Sequence, residues 1–154
     1  KFDDRICVVF RDEQGWITRT WECTTEPGRY WLENPGNVKG TAVLVPGQYR
    51  GVYKIDKHAG RYDALCQRKG TVKTYRDGNK DDVVDLDVQS ITEGMYGINI
   101  HKAGADSTQV NKWSAGCQVF SHSEDFDEFM SICYAARKKW GNSFTYTLID
   151  EPIL

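Results

Sequence analysis

Residues 121–140 are the one stretch of this chain that reads as a long amphipathic helix, and this restricts the fold more than any other feature. Phe126, Phe129, Met130, Cys133, then Ala136 or Arg137, and Trp140 follow three- and four-residue steps and give one apolar face. Ser121 and Glu124 have the spacing of a capping box. Acidic residues fill the first turn, Arg137, Lys138 and Lys139 fill the last, and Gly141 can end the helix. A solitary helix must bury its apolar face on some other layer, and the rest of the chain offers only short β-type segments divided by turns. The expected fold is therefore mostly β, a β-sandwich or barrel-like domain with one substantial helix packed on it.

The β segments are read from alternation and from turn residues. Residues 5–11 and 16–23 suggest a hairpin turned by 12–15. Residues 24–40 read as an irregular passage, with Pro27-Gly28 and Pro35-Gly36 around the aromatic island Tyr30-Trp31-Leu32. Short strands are expected at 40–45, 49–55, 64–67, 71–75 and 143–149. In 95–101, Tyr96, Ile98 and Ile100 fall on one side, with Met95, Gly97, Asn99 and His101 on the other. The 14 Gly and 19 aromatic residues (5 Trp, 8 Tyr, 6 Phe) lean the same way. A chain of 154 residues without repeat or linker reads as a single domain, 1–154. Its start, Lys1-Phe2-Asp3-Asp4, is neither an initiator methionine nor a signal peptide, so it is expected to be excised from a longer chain.

Charge excludes some function classes. With 20 basic and 22 acidic residues the net charge is -2, which gives no electrostatic case for nucleic acid or an anionic membrane. No apolar run approaches the roughly 20 residues of a membrane span. Residues 76–87 carry five aspartates, and Asp77, Gly78, Asn79 and Asp81 suggest a calcium loop. An EF-hand loop needs Gly at its sixth position and Glu at its twelfth, whereas Gly78 is second, so this stretch is read as a solvated turn. Five cysteines cannot all pair within one chain and show no Cys-x-x-Cys spacing. Cys7, Cys23, Cys66 and Cys133 are expected to be small buried hydrophobes. No metal or cofactor is expected.

Residues 97–120 carry the chemistry. Here His101 ends an alternating segment, and a polar loop, 102–112, leads to Ser114-Ala115-Gly116-Cys117. A thiol attacks a carbonyl as thiolate, which a neighbouring imidazole can generate. Main-chain N–H groups around Gly116 and Cys117 could hold the oxyanion. His122 reads as a solvated residue before the helix, and His58 as part of a polar turn that either lines a cleft or faces water. His101 is thus the best base. A buried Cys117 in a simple turn is the plain alternative.

Ile98-Asn99-Ile100-His101, a loop, and Ser114-Ala115-Gly116-Cys117 resemble the signature of the L,D-transpeptidase catalytic domain family. The match covers residues 96–117 and extends weakly to Pro27-Gly28-Arg29-Tyr30 or Pro46-Gly47-Gln48-Tyr49. The resemblance implies a cysteine-dependent transpeptidase or peptidase that acts on peptidoglycan stem peptides through an acyl-cysteine, in the periplasm or cell wall. It implies Cys117 as nucleophile and His101 as base, with Gly116 and Ala115 lending backbone to the oxyanion site. Ser114 would support the loop, and the carbonyl of Lys102 would orient the imidazole. Trp113, Arg76, Tyr53, Tyr49, Gln67 and His58 are candidate substrate-binding residues, Arg76 as a two-pronged carboxylate holder.

The sequence departs from the family where Ala115 replaces a histidine and Val119 a polar residue, and its His-to-Cys loop is slightly short. The version here resembles a divergent branch of phage or secreted peptidoglycan-acting proteins, with transfer versus hydrolysis left open. Two alternatives are a non-catalytic cell-wall-binding domain on the same fold and a metallopeptidase using His58, His101 and aspartates.

Overall fold

In the computed structural model, strands β1 (Asp4–Asp12) and β2 (Gly15–Thr24) form the expected hairpin, with Ile6 opposite Trp21 and Asp12 opposite Gly15. The structure describes residues 1–105 and 107–150. Asp106, in the 102–112 loop, and positions 151–154 of the expected 1–154 domain lie outside the described residues. After the hairpin come α1 (Arg29–Glu33), β3 (Thr41–Leu44), β4 (Gly47–His58), β5 (Tyr62–Gln67) and β6 (Val72–Asp77). A 3-10 turn (Val88–Ser90), β7 (Thr92–Gly94), β8 (Ile100–Lys102), β9 (Gln118–Phe120), α2 (Ser123–Trp140) and β10 (Phe144–Leu148) complete the order.

Seven strands form one curled sheet in the order β1-β2-β9-β8-β5-β4-β10, and β3-β6-β7 form a second, smaller one. Every pairing is antiparallel except β8 with β9. The domain is thus mostly β with one substantial helix, as the sequence implied. Its core lies on both faces of the large sheet, with α2 packed on one part and Ala42, Leu44 and Val72 of the smaller sheet in the same buried cluster. Phe126, Phe129, Met130 and Cys133 are each at most 4% exposed and pack with Trp21, Ile100 and Phe120. Trp21 meets Phe129 edge-on at 5.9 Å, and Phe120 meets Phe126 at 5.6 Å. Burying side chains of this size stabilises by about 1.5–3 kcal/mol each, so this one helical face holds α2 on the sheet.

The structure corrects several expectations. The helix starts at Ser123, with His122 as N-cap and no side-chain cap. Ser121 is drawn to β2 instead, where its N–H donates to the Glu22 carbonyl at 3.3 Å, so the capping box does not form. Trp140 is 78% exposed, where the last helical turn lies beside the hairpin tip at residues 10–14. Cys7 is exposed on the outer face of β1, whereas Cys23, Cys66 and Cys133 are buried, and all five cysteines are free. The 24–40 passage contains α1, and β4 runs on to His58, so that histidine ends a strand and does not sit in a turn.

Residues 95–99 are not a ladder strand. Gly97 is left-handed at φ +68°, and side chains take over the bonding. Gln67 Oε1 accepts the Ile98 N–H at 3.0 Å, and Asn99 Oδ1 accepts the Gln67 N–H at 3.0 Å. No helix among the described residues is long and apolar enough to cross a membrane.

Candidate active site

The parallel pair β8–β9 positions the chemistry. Ile100 lies opposite Gln118 and His101 opposite Val119. One step earlier the Gln118 N–H donates to the Asn99 carbonyl at 2.9 Å, which sets Cys117 beside Asn99. Because extended backbone alternates faces, Cys117, Asn99 and His101 share one face, with His101 one diagonal step from the thiol. The Asn99 N–H donates to Cys117 Sγ at 3.4 Å, and the thiol donates to the Gly97 carbonyl at 3.5 Å. Among the described residues, no hydrogen bond joins the sulfur to the His101 ring. Reaching it requires the thiol to turn away from Gly97.

The orientation of the imidazole follows from its partners. His101 Nδ1 lies 2.9 Å from the Lys102 carbonyl, which can only accept, so Nδ1 carries the proton and neutral His101 keeps a lone pair on Nε2. Tyr62 Oη donates to the same carbonyl at 3.2 Å. On the flat side of the ring lies His58, with centroids 4.0 Å apart and an interplanar angle of 18°. Asn99 fixes this second ring as well. Since its Oδ1 is taken by Gln67, its Nδ2 is the atom 3.1 Å from His58 Nδ1, so Nδ1 accepts and neutral His58 is protonated at Nε2.

Electrostatically the site rests uncharged. Burial, and secondarily the neighbouring His58, push the His101 imidazolium down to about 4, with the Lys102 carbonyl opposing. Burial also lowers His58, and Arg68 and Arg61 add to this. Burial pushes the Cys117 thiol up to about 11, against the Asn99 N–H that favours thiolate. A neutral thiol therefore shares this face with a neutral imidazole.

The turn 114–117 is held from below. Ser114, fully buried, donates through Oγ to the Cys117 carbonyl at 2.8 Å and accepts the Gly116 N–H at 3.1 Å. Its own carbonyl accepts the Gly28 N–H at 2.8 Å, so Pro27-Gly28 is the Pro-Gly turn tied to the thiol loop, while Pro46-Gly47 leads into β4. Gly116 has φ +113°, and a Cβ there would stand 2.2 Å from the Ala42 carbonyl oxygen, so only glycine fits. With the Gly116 N–H engaged, the Ala115 and Cys117 N–H groups are the ones without a bond among the described residues.

A cleft of about 290 Å³ ends on Cys117, walled by Trp31, Thr41, Arg76, Tyr96 and Ala115. The Arg76 guanidinium lies over the Tyr96 ring, 4.3 Å from its centroid, and donates to Thr92 Oγ1 at 3.1 Å and to the Gly40 carbonyl at 3.4 Å. Among the described residues no carboxylate pairs with it. The other substrate-binding candidates separate clearly. Tyr53 is 0% exposed in the core, and Gln67, 1% exposed, is a strut whose amide donates to the Gly70 and Gly94 carbonyls. Neither can touch a substrate. Tyr49 Oη bonds the Val45 carbonyl at 2.5 Å away from the cleft, and Trp113 is half exposed outside its walls.

His58 belongs to the imidazole. Asn99, which bonds both the thiol and His58, was not singled out from sequence, although its alternation with His101 was the available signal. Tyr96 and Trp31 carried none. No three His, Cys, Asp or Glu side chains among the described residues are gathered closely enough to hold a metal ion. No protein-family model matches the chain, and no solved structure matches it.

Proposed function

We propose that this domain is a cysteine acyltransferase or peptidase of the L,D-transpeptidase type, acting on peptidoglycan stem peptides. One observation carries the reading. A half-buried thiol that accepts a main-chain N–H shares a face with an imidazole whose Nδ1–H is pinned by the following carbonyl, leaving Nε2 as base. In the proposed sequence Nε2 takes the thiol proton as sulfur bonds to a peptide carbonyl carbon, and the oxyanion is received by main-chain N–H groups of the 115–117 turn. The amine leaves with the proton from Nε2. The thioester is then attacked by an amine, which completes transfer, or by water, which completes hydrolysis; either attacker gives its proton to Nε2 and the thiol is restored. The Arg76 guanidinium in the same cleft suits a substrate carboxylate.

The test is incubation of purified muropeptides with the protein, with and without an added amine acceptor, read by mass spectrometry. A product enlarged by the acceptor identifies transfer, and loss of a C-terminal residue identifies hydrolysis. Binding of muropeptides without any change in mass would replace the enzyme with a wall-binding domain.

A further inference from the structure

Asp77 closes β6 with a side chain only 1% exposed. Its Oδ2 accepts the Asp85 N–H at 2.9 Å, which aims the carboxylate into the 77–85 loop, while Oδ1 is buried without a hydrogen-bond partner among the described residues. A buried carboxylate with an unmet oxygen and no paired cation is costly, and an absent ion is one of the few explanations such a group admits. The loop around it is rich in the right atoms. Asn79 Nδ2 donates to Asp81 Oδ2 at 2.8 Å and to Asp85 Oδ2 at 2.6 Å, so both carboxylates converge on a single NH2 group.

Counted from Asp77, oxygen-bearing side chains stand at positions 1 (Asp77), 3 (Asn79), 5 (Asp81) and 9 (Asp85), and position 7 (Val83) needs only its carbonyl. These are the ligand positions of a calcium loop. We propose that residues 77–85 bind a calcium ion through Asp77, Asn79, Asp81, Asp85 and the Val83 carbonyl. In the arrangement described the carboxylates are not gathered as a ligand set, and the Asn79 NH2 lies between two of them. Binding replaces that NH2 with the cation as Asn79 turns its oxygen inward. An all-oxygen set on an adaptable loop selects calcium over zinc, which wants nitrogen or sulfur, and over magnesium, which demands strict octahedral geometry.

Asp82 replaces the glycine of position 6, and Val88 replaces the two-pronged glutamate of position 12. The affinity is therefore expected in the weak class of extracellular modules, a Kd of roughly 10⁻⁴–10⁻³ M. This inference stands apart from the proposed reaction. The two sites are nevertheless adjacent in sequence, since Arg76 precedes Asp77 and its N–H is held by Ser90 in the 3-10 turn that follows the loop.

The experiment is thermal unfolding of the full chain after removal of divalent ions, with 10 mM CaCl2, 10 mM MgCl2 or NaCl of equal ionic strength, alongside calcium titration by calorimetry. Calcium is expected to raise Tm by roughly 3–10 °C, magnesium by clearly less and NaCl not at all. Asp77→Asn is expected to abolish the calcium response. The exposed pair Asp81→Asn with Asp85→Asn should abolish it while leaving Tm without calcium within a few degrees of the parent, so that a folding defect in the Asp77 variant does not decide the matter. An equal rise with magnesium or NaCl, no rise and no heat with calcium, or a full calcium response in the double variant would each overturn the proposal.

Discussion

The His58 ring lies flat against the His101 ring, 4.0 Å between centroids, and Asn99 holds it there through Nδ1. This stack, with the Lys102 carbonyl, fixes the imidazole in position and in tautomer. His58→Ala is expected to cost roughly 10- to 100-fold in kcat, because a base displaced by about 1 Å loses that much. His58→Phe, which keeps a flat ring, should recover part of the loss. The sign of the pH effect is also set. His101 is neutral above about 4 in the parent, and losing the buried neighbour raises it toward 6.5, so the acid limb of the rate profile moves to higher pH in His58→Ala. An unchanged kcat and profile would remove His58 from the site.

The Cys117 thiol titrates late. With the thiol pushed up to about 11, little thiolate exists at pH 7.5. Site-resolved alkylation by iodoacetamide should therefore rise continuously with pH to 10 or beyond. The exposed Cys7 serves as an internal control for reagent access. A rate plateau between pH 5 and 8 would reveal a preformed thiolate–imidazolium pair and contradict the neutral resting state.

The thiol turn depends on two residues that touch no substrate. Gly116→Ala must fit a Cβ against the Ala42 carbonyl at a left-handed φ, and should destabilise by at least about 2 kcal/mol. Ser114→Ala leaves the Gly116 N–H and the Cys117 carbonyl without partners and should cost about 1–3 kcal/mol. Urea unfolding measures both, and near-parent midpoints would show that the turn relaxes freely.

Among the described residues, Arg76 is the one cation in the walls of the cleft that ends on Cys117. Arg76→Gln is expected to raise KM roughly 10- to 100-fold for peptides with a free carboxylate, with little change for the same peptides amidated. Equal effects on both would assign Arg76 to holding Tyr96 and Thr92 alone.

The β-rich architecture and its single helix were legible because periodicity depends on local sequence: Phe126, Phe129, Met130 and Cys133 face the core as their spacing requires. Features that depend on tertiary contact were not. Nothing local says that Ser121 will bond Glu22 in preference to capping the helix, or that Trp140 will be left exposed. In the site, Cys117, His101 and the Lys102 carbonyl were read from one continuous segment. His58 and Asn99 meet only because β5 lies between β4 and β8. Tyr53 and Gln67 have polar groups that suit a cleft, yet their strands turn them into the core. Asp77 was grouped with its solvated neighbours because burial of one aspartate among five leaves no mark in composition.

The central claim is that Cys117 becomes acylated during reaction. The direct measurement is peptide-mapping mass spectrometry of the protein quenched in acid during turnover of purified muropeptides. The account predicts a stem-peptide acyl group on the peptide containing Cys117, absent from Cys117→Ala, which should still fold and bind but show no turnover. Undiminished product formation by Cys117→Ala, or turnover with acyl groups found only on another residue, would contradict it.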